Sequence, residues 1–296
     1  PDRVVSRECC LVVGPRRRIV SLGPGHIAQE RLREGQTVTV TAADGSTRDI
    51  QADAIVIATG SSWPNLPQFP IDGQQLLTSQ HLLDLDRIPA SLLIVGGGVE
   101  GCEFAALYSG LGTEVTIVEL MPRVLPLEDD DIASTMQREL KKRGVTVLTG
   151  TTVEKLERSP TAITAHLKDG TQVAAEKLLV SVGRGLNSGG IGLEQVGVQT
   201  GRRGEILVNE RMETTVPGIY AIGDVVGKAM LAHVASAQGK VAVANIMGHE
   251  ETFRYDVVPA GIFTLPEIGR VGLTEQQARE RVQAAGQNPD QALRVG

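Results

Sequence analysis

The strongest constraint on the fold is a glycine-rich turn that directly follows a short run of apolar residues. Residues 92–95 are Leu-Leu-Ile-Val, and Gly96, Gly98 and Gly101 then follow in a G-x-G-x-x-G pattern. A stretch of small residues extends to Gly110, and residues 114–119 form a second apolar run that closes on Glu119. Strand, glycine turn, helix and acid-ended strand, in this order, predict a dinucleotide-binding βαβ unit.

Each residue type in this pattern has a physical reason. Gly96 allows the tight turn, Gly98 leaves the backbone open to a pyrophosphate, and Gly101 lets the helix pack close to the strand. The pyrophosphate is expected on the unpaired N–H groups at the positive end of the helix. Glu119 is expected to accept hydrogen bonds from both ribose hydroxyls of the adenosine. Because a 2′-phosphate would meet a like charge there, the sequence favours NAD over NADP.

The bulk composition narrows the class of protein. The 296 residues suffice for two domains, and 34 glycines suit an α/β fold with many tight turns. The net charge of −6 argues against a nucleic-acid partner, and the basic run at 16–18 is typical of a solvated turn. No run approaches the roughly 20 apolar residues of a membrane span. Cys9, Cys10 and Cys102 form no disulfide framework, which favours a reducing, cytoplasmic location.

An internal repeat organises the chain. In the first copy, residues 37–51 are predicted to form a hairpin around an Asp44-Gly45 turn, and an apolar strand follows at 54–58. In the second copy, residues 163–174 are predicted to form a hairpin around Asp169-Gly170, and an apolar strand follows at 177–183. Only the second copy is preceded by a complete βαβ unit with the glycine motif. We therefore expect two dinucleotide-binding folds in tandem, the first without its own glycine loop, in a chain that lacks its beginning and starts at a cut end.

The remaining elements are predicted from periodicity and turn residues. Gly248 is expected to end a helix over 231–247, with Met247 among its inward residues, and residues 274–277 have the pattern of a capping box that opens a helix. Further predicted helices are 78–85 and 130–143, and further predicted strands are 145–148, 153–156, 206–209 and 219–224.

Five short motifs together resemble one known family. They are ATG (58–60), GGGVEGCE (96–103), SVGR (181–184), YAIGD (220–224) and MLAH (230–233). Their order resembles the flavoprotein pyridine nucleotide-disulfide oxidoreductases, and most of all the dihydrolipoamide dehydrogenase branch. Residues 264–272 resemble the start of that family's dimerisation domain. The resemblance implies an α/β fold of tandem FAD- and NAD(P)-binding Rossmann-like domains, each with three layers, a parallel sheet and a β-meander, followed by the start of an α+β dimerisation domain.

The resemblance also implies domain boundaries and site residues. Residues 1–75 would be a partial FAD-binding domain, 76–188 the NAD-binding domain, 189–255 the second FAD-binding segment, and 256–296 the start of the dimerisation domain. The implied NAD loop is Gly96, Gly97, Gly98, Val99, Glu100, Gly101, Cys102 and Glu103, with Glu103 near the nicotinamide, Glu119 on the adenosine ribose, Val153 against the adenine and Gly183 near the nicotinamide. The implied FAD contacts are Thr59, Gly60, Asp224 on the ribitol, and Met230, Leu231, Ala232 and His233 through backbone groups at a helix N-terminus.

Simpler roles stay open for several of these residues. Asp224 is also typical of a strand-end turn or helix cap, and Glu103 of a solvated helix acid. His233 is expected to be structural, because backbone groups at that helix start suffice for flavin contact. Cys102 stands where an apolar residue would pack. The other histidines stand in no ligand-like spacing, so no metal site is predicted.

The sequence departs from the family in its redox groups. The family exchanges electrons through two cysteines with a C-x-x-x-x-C spacing, and that spacing is absent here, since Cys9 and Cys10 are adjacent. The family's His-Glu acid–base pair is absent as well. For this chain alone we therefore expect NAD binding without turnover, and assign no catalytic residue.

For the intact protein, we expect electron flow between NAD and a dithiol through FAD and a disulfide. The implied partner is the dihydrolipoyl group of a 2-oxo acid dehydrogenase complex, in a homodimer. The alternatives are another family member, such as a mercuric reductase or an NADH oxidase, and a non-catalytic dinucleotide-binding module.

Overall fold

The computed structural model describes residues 10–14, 18–22 and 27–33 through their backbone, and residues 36–294 in full. These residues form two compact units. The first unit comprises the described residues up to Ser62 together with Arg184–Val258, and the second comprises Trp63–Gly183 together with residues 259–294. The expectations for Cys9 and for most of the basic run at 16–18 lie outside the described residues. The functional domain boundaries stay a prediction.

The secondary structure alternates short strands with a few longer helices. The strands are β1 (Cys10–Gly14), β2 (Arg18–Leu22), β3 (Ile27–Arg33), β4 (Thr37–Ala42), β5 (Thr47–Gln51), β6 (Ala54–Ile57), β7 (Ser61–Ser62), β8 (Leu76–Leu77), β9 (Ser91–Val95), β10 (Glu114–Glu119), β11 (Thr146–Thr149), β12 (Val153–Arg158), β13 (Ile163–Leu167), β14 (Gln172–Ala175), β15 (Lys177–Val180), β16 (Gly185–Leu186), β17 (Ile219–Ala221), β18 (Pro259–Ile262) and β19 (Ile268–Val271). The α-helices are α1 (Ser79–Leu83), α2 (Val99–Gly110), α3 (Asp130–Lys142), α4 (Leu193–Val196), α5 (Ala232–Ile246), α6 (Glu275–Ala284) and α7 (Pro289–Ala292), and Gly223–Val226 and Tyr255–Val257 are 3₁₀ turns.

The second unit is built on a five-stranded parallel sheet with the order β11-β10-β9-β15-β8. Successive side chains of a strand point to opposite faces. Leu92 and Ile94 of β9 accordingly pack in the core that α2 and α3 cover. Leu93 and Val95 pack in the core under the antiparallel meander β12-β13-β14. Burial on both faces explains why the strand is apolar throughout.

The first unit repeats this layering with a smaller sheet. Strand β17 lies parallel to β6, and β1 pairs antiparallel with the other edge of β6. Ile55 and Ile57 pack in the core with the meander β3-β4-β5, while Val56 packs on the opposite side with Ala242 of α5. The predicted α/β class, with meanders and parallel strands in tandem, is confirmed, and so is the repeat of meander followed by apolar strand.

Two predicted features of the first unit are wrong. The strand at 206–209 is reduced to an isolated bridge between Ile206 and Thr200, because the side chain of Asn209 accepts hydrogen bonds from following backbone N–H groups and starts a turn. Met247 is 39% exposed, not inward. The buried positions of α5 include Ala242 and Asn245, and Met247 lies about 200° further around the helix than Asn245.

Other elements differ only in length. Strand β17 ends at Ala221, since the chain turns at Gly223 with a φ of 74°, and α1 ends at Leu83. The predicted capping box of α6 is confirmed, with the Thr274 side chain accepting from the Gln277 N–H. Within residues 36–294 and the three backbone segments, we find no helix both long and apolar enough to cross a membrane.

Candidate functional site

The glycine loop lies at the carboxyl end of the central strand of the second unit. The chain leaves β9 through Gly96 and enters α2 with Gly98 as the N-cap residue. Connections from β9 through β10 to β11 run one way across the sheet, while β15 lies on the other side of β9. This reversal of strand order is the position where open α/β sheets bind ligands.

Two glycines of the loop are required by packing, and a third faces open space. A Cβ on Gly96, whose φ is 109°, would lie 2.0 Å from the carbonyl oxygen of Ser181. A Cβ on Gly101 would lie 2.0 Å from the carbonyl oxygen of Gly96. A Cβ on Gly98 would meet no atom within 4 Å. The packing of the loop therefore explains Gly96 and Gly101, and Gly98 borders a space that a ligand can approach closely.

The carboxylate of Glu119 supports the loop from the end of β10. Its Oε2 accepts a hydrogen bond from the Gly97 N–H at 2.5 Å, and its Oε1 accepts one from the Met121 N–H at 2.7 Å. The residue is buried. The loop and the acid that the sequence singled out are thus in direct contact, and each carboxylate oxygen has the capacity to accept one more hydrogen bond.

Sequence reasoning missed two supports of this loop. The Leu125 N–H donates to the Gly97 carbonyl at 2.8 Å, from a left-handed backbone with a φ of 47°. Ser181 follows β15, and its hydroxyl donates to Glu100 at 3.0 Å. Pro126 gave no signal for the support from Leu125, because a proline favours an extended conformation at the residue before it, whereas Leu125 is left-handed.

The other residues of the α2 start have distinct surroundings. Val99 is exposed, and the Glu103 carboxylate accepts a hydrogen bond from the Phe263 N–H at 2.8 Å. Cys102 is fully buried, and its Sγ lies 3.4 Å from the Gly97 carbonyl. Burial, together with the charges of Glu119 and Glu103, raises the pKa of the thiol to about 12. The cysteine is therefore a packing residue of the loop, with no thiolate available at neutral pH.

The remaining residues of the implied NAD site lie at the same edge of the sheet. The Thr151 N–H donates to the Glu119 carbonyl at 3.2 Å, which places the start of β12, at Val153, beside the end of β10. Val153 is buried in the core under the meander. Gly183, with a φ of 99°, follows β15 two residues after Ser181, and no atom lies within 4 Å of where its Cβ would be.

A second cluster forms in the first unit, where β6 and β17 end side by side. Asp224 follows β17, and its Oδ2 accepts a hydrogen bond from the Ser61 hydroxyl at 2.5 Å. The Asn187 side-chain amide donates to the Thr59 carbonyl at 2.9 Å, and the Asn187 N–H donates to the Gly60 carbonyl at 3.1 Å. The structure thus brings Thr59, Gly60 and Asp224 together at one edge.

Helix α5 holds the Asp224 turn from the other side. The Gly223 N–H donates to the Gln238 side chain at 2.7 Å, and Gln238 donates in turn to the Tyr255 hydroxyl at 2.9 Å. Met230 and His233 are exposed at the helix start, with Ala232 in its first turn. Leu231 is the N-cap residue and supplies no side-chain hydrogen bond to the first-turn N–H groups.

Two observations test whether the residues fit nucleotide cofactors. The Thr59 hydroxyl is buried and, among the described residues, has no hydrogen-bond partner. Such a group is costly unless a ligand or water satisfies it. In the second unit, Gly98 leaves the N-terminus of α2 uncovered beside a buried carboxylate. Both features fit the residue sets that the sequence implied for FAD and for NAD.

Comparison with known proteins identifies the family. The model of the pyridine nucleotide-disulphide oxidoreductases matches residues 25–239. The chain belongs to this family. It is 40% identical over 235 residues to a dihydrolipoyl dehydrogenase of Chlamydia pneumoniae, covering 79% of this chain and 50% of that protein. It is 37% identical over 265 residues to an NAD(P)H dehydrogenase (quinone) of Mycobacterium tuberculosis, covering 89% of this chain and 52% of that protein. The chain thus spans about half the length of the curated relatives it matches.

Solved structures agree with this assignment. LpdA from Mycobacterium tuberculosis superimposes with a TM-score of 0.77 at 33% identity, over 89% of this chain and 61% of that one. RclA, an HOCl-induced flavoprotein disulfide reductase from Escherichia coli, gives a TM-score of 0.74 at 30% identity, over 85% of this chain and 57% of that one. Family membership and the Rossmann-like fold are both confirmed.

Proposed function

We propose that this chain is the nucleotide-binding part of an NAD-linked, FAD-dependent dithiol–disulfide oxidoreductase. The observation that supports the proposal most is the arrangement of the α2 start, where Gly98 leaves the backbone uncovered and Glu119 lies against the same loop. The N–H groups of the first turn have no acceptor within the helix and point toward a bound anion. These two features match the pyrophosphate and the ribose of one dinucleotide.

In the second unit, NAD would be held by the glycine loop and by Glu119. The first-turn N–H groups of α2 bind the pyrophosphate, and the Glu119 carboxylate accepts from the adenosine ribose. A 2′-phosphate would be repelled by the buried carboxylate, which supports NAD over NADP. Glu103, whose carboxylate is fixed by the Phe263 N–H, lies one turn beyond Val99 on the same helix and would be near the nicotinamide.

In the first unit, FAD would be held by three groups. Asp224 would accept a hydrogen bond from the ribitol, and the Thr59 hydroxyl would gain the partner that it lacks among the described residues. Backbone groups at 230–233, around the start of α5, would bind the flavin end. When bound, the flavin would supply the redox chemistry, and these residues would bind and orient it.

For the intact protein, we propose oxidation of a dihydrolipoyl group with reduction of NAD. The relatives named dihydrolipoyl dehydrogenase, at about 40% identity over 79% of this chain, support this substrate. A homodimer and a 2-oxo acid dehydrogenase complex as partner follow from the same resemblance. The similarity to a quinone-reducing NAD(P)H dehydrogenase over 89% of the chain supports quinone reduction as the second candidate. Activity assays of the intact protein separate the two candidates. NAD reduction by dihydrolipoamide would support the first, and reduction of a benzoquinone by NADH would support the second.

A glycine pair in one helix tests nucleotide binding directly. Gly98→Ala places a methyl group in the space proposed for the pyrophosphate without a clash in the protein, since no atom lies within 4 Å. Gly110→Ala adds the same methyl group at the far end of α2, also with no atom within 4 Å. Titration with NADH, followed by its fluorescence, is expected to show binding weakened about 100-fold by Gly98→Ala, the cost of about two lost charge-assisted hydrogen bonds.

The matched control is expected to bind NADH as the wild type does. NADPH is expected to bind at least about tenfold more weakly than NADH, from the charge of Glu119. Equal NADH affinity in the Gly98→Ala protein and the wild type would contradict the proposed site.

A further inference from the structure

Beneath the carboxylate proposed to bind the flavin cofactor, three residues of the first unit form a chain of hydrogen bonds. The Nε of Arg184 donates to the Ser61 hydroxyl oxygen at 2.6 Å, and Nη2 of Arg184 donates to the Ser61 carbonyl at 2.8 Å. The Ser61 hydroxyl donates to Oδ2 of Asp224 at 2.5 Å. These short distances are typical of hydrogen bonds with an ionised partner at one end.

The chemistry of the three groups allows only one direction of donation along this series of hydrogen bonds. A guanidinium is a donor and has no acceptor, whereas an ionised carboxylate is only an acceptor. The Ser61 oxygen must therefore accept from Arg184, and its single proton must point to Asp224. The hydroxyl rotor is fixed from both ends, and this orients the carboxylate.

The backbone around Ser61 is held by the same segment that carries Arg184. Strand β7 pairs antiparallel with β16, with Ser61 opposite Leu186. Asn187 then bonds to the carbonyls of Thr59 and Gly60. Arg184 directly precedes β16, whose register with β7 is set, and residues 184–187 therefore position the loop at 59–61.

We propose that Arg184 is a positioning residue for FAD that acts through the Ser61 hydroxyl on Asp224. The inference rests on the proposed function, since it takes Asp224 as the acceptor of a ribitol hydroxyl. One carboxylate oxygen, Oδ2, is engaged by Ser61. The other, Oδ1, accepts no hydrogen bond from the described residues and would be left for the ribitol hydroxyl. By holding the Ser61 hydroxyl, Arg184 keeps Oδ2 engaged and leaves Oδ1 for the ligand.

The test is FAD binding by the intact protein after removal of its flavin, followed by quenching of flavin fluorescence. Ser61→Ala and Arg184→Ala are each expected to weaken FAD binding about tenfold, the effect of one lost hydrogen bond to a charged group. Ser61→Thr keeps the hydroxyl and Arg184→Lys keeps one donor, so both are expected to restore most of the affinity. Arg202→Ala, an exposed arginine of the same unit outside this chain of bonds, is the matched control with wild-type affinity.

The double variant tests whether Arg184 acts on Asp224 through Ser61, which we call the relay, or whether Arg184 and Ser61 affect FAD binding independently. In the Ser61→Ala background, Arg184→Ala is expected to cause no further loss of FAD affinity, because the path to Asp224 is already broken. A full additional tenfold loss there, or wild-type affinity in Arg184→Ala, would overturn the relay. Thermal unfolding of the flavin-free variants, expected to match the wild type, separates a binding effect from misfolding.

Asp224→Asn distinguishes failure of the inference from failure of the proposed function. If Asp224→Asn weakens FAD binding and Arg184→Ala does not, only the relay is wrong. If the wild type binds no FAD, or Asp224→Asn binds it as tightly as the wild type, the flavin site itself is wrong and the relay falls with it.

Discussion

The two units share a plan and differ in how they build the edge where a nucleotide would bind. Both place a three-stranded meander before an apolar strand, β3-β4-β5 before β6 and β12-β13-β14 before β15. In the second unit, contiguous elements β9, α2 and β10 supply the glycine loop and the acid. In the first unit, the cluster is gathered from residues 59–61, 184–187 and 223–224, far apart in sequence. A local site can be recognised in the sequence, whereas a dispersed one depends on packing.

The loops at the two edges differ most in how closely they pack. Gly96→Ala tests this difference and is expected to change the free energy of unfolding more than the other variants. A methyl group at Gly96 would meet the Ser181 carbonyl at 2.0 Å on a backbone with a φ of 109°. We expect a loss of about 4 kcal/mol in the free energy of unfolding, from overpacking and backbone strain together. Urea unfolding followed by fluorescence of Trp63, the single tryptophan and part of the second unit, measures it.

The variant of the first unit chosen for comparison is Gly60→Ala, in the loop that follows β6. Gly60 has a φ of 69°, but no atom lies within 4 Å of where the added methyl group would be, so only the left-handed backbone is penalised, by about 1 kcal/mol. Similar losses in the two variants would show that the second unit's loop is not more tightly packed than the first unit's.

Helix glycines offer an intermediate, stabilising effect in both units. Gly110 in α2 has an ordinary backbone φ and open space at its Cβ position, and a Cβ on Gly239 in α5 would make an ordinary contact of 3.4 Å with Ile222. Alanine at either position is expected to raise the free energy of unfolding by about 0.5–1 kcal/mol, because it restricts the unfolded chain and favours the helix. Urea unfolding followed by circular dichroism tests this, and a destabilised Gly239→Ala alone would reveal crowding of α5 that the contact distance does not show.

The repeated Asp-Gly turns should titrate alike. Hydrogen bonds from the Ser46 hydroxyl and N–H hold the pKa of Asp44 below its ordinary value, and hydrogen bonds from Thr171 do the same for the pKa of Asp169. A pKa lowered by folding contributes stability that is present above the unfolded-state pKa and is lost as the pH falls through the lowered value. NMR titration of the two carboxyl groups is expected to give both pKa values below 3.8. An ordinary value at one turn would break the equivalence of the repeats.

The last prediction is that the Cys102 thiol does not react. With its pKa raised to about 12 by burial and by the charges of Glu119 and Glu103, the Cys102 thiol is expected to resist alkylation at pH 8 in the folded protein. Peptide mapping after iodoacetamide treatment tests this, with the unfolded protein in guanidinium as the labelled control. Rapid labelling in the folded state would mean that the loop opens more readily than its packing indicates.

Local spacing in the sequence was enough to predict the βαβ unit, its acid and the repeat. These depend on local spacing: strand, glycines, helix and Glu119 follow one another within about 30 residues, and the motif specifies its own geometry. The same local reasoning failed at Ile206, where a side chain of the next turn competed for the backbone, and at Met247, where the direction of a helix face depended on its neighbours.

Contacts between distant residues could not be predicted in this way, because they depend on how the strands pair. Ser61 is more than a hundred residues from both Arg184 and Asp224 in the chain, and no periodicity links them. Their contact arises because parallel strands β6 and β17 end at the same edge and because β16 returns to pair with β7. Likewise, the left-handed Leu125 and the carbonyl of Ser181 define the glycine loop from outside its motif. Local chemistry is set by adjacent residues, whereas the support of a site is set by the pairing of strands far apart in the chain.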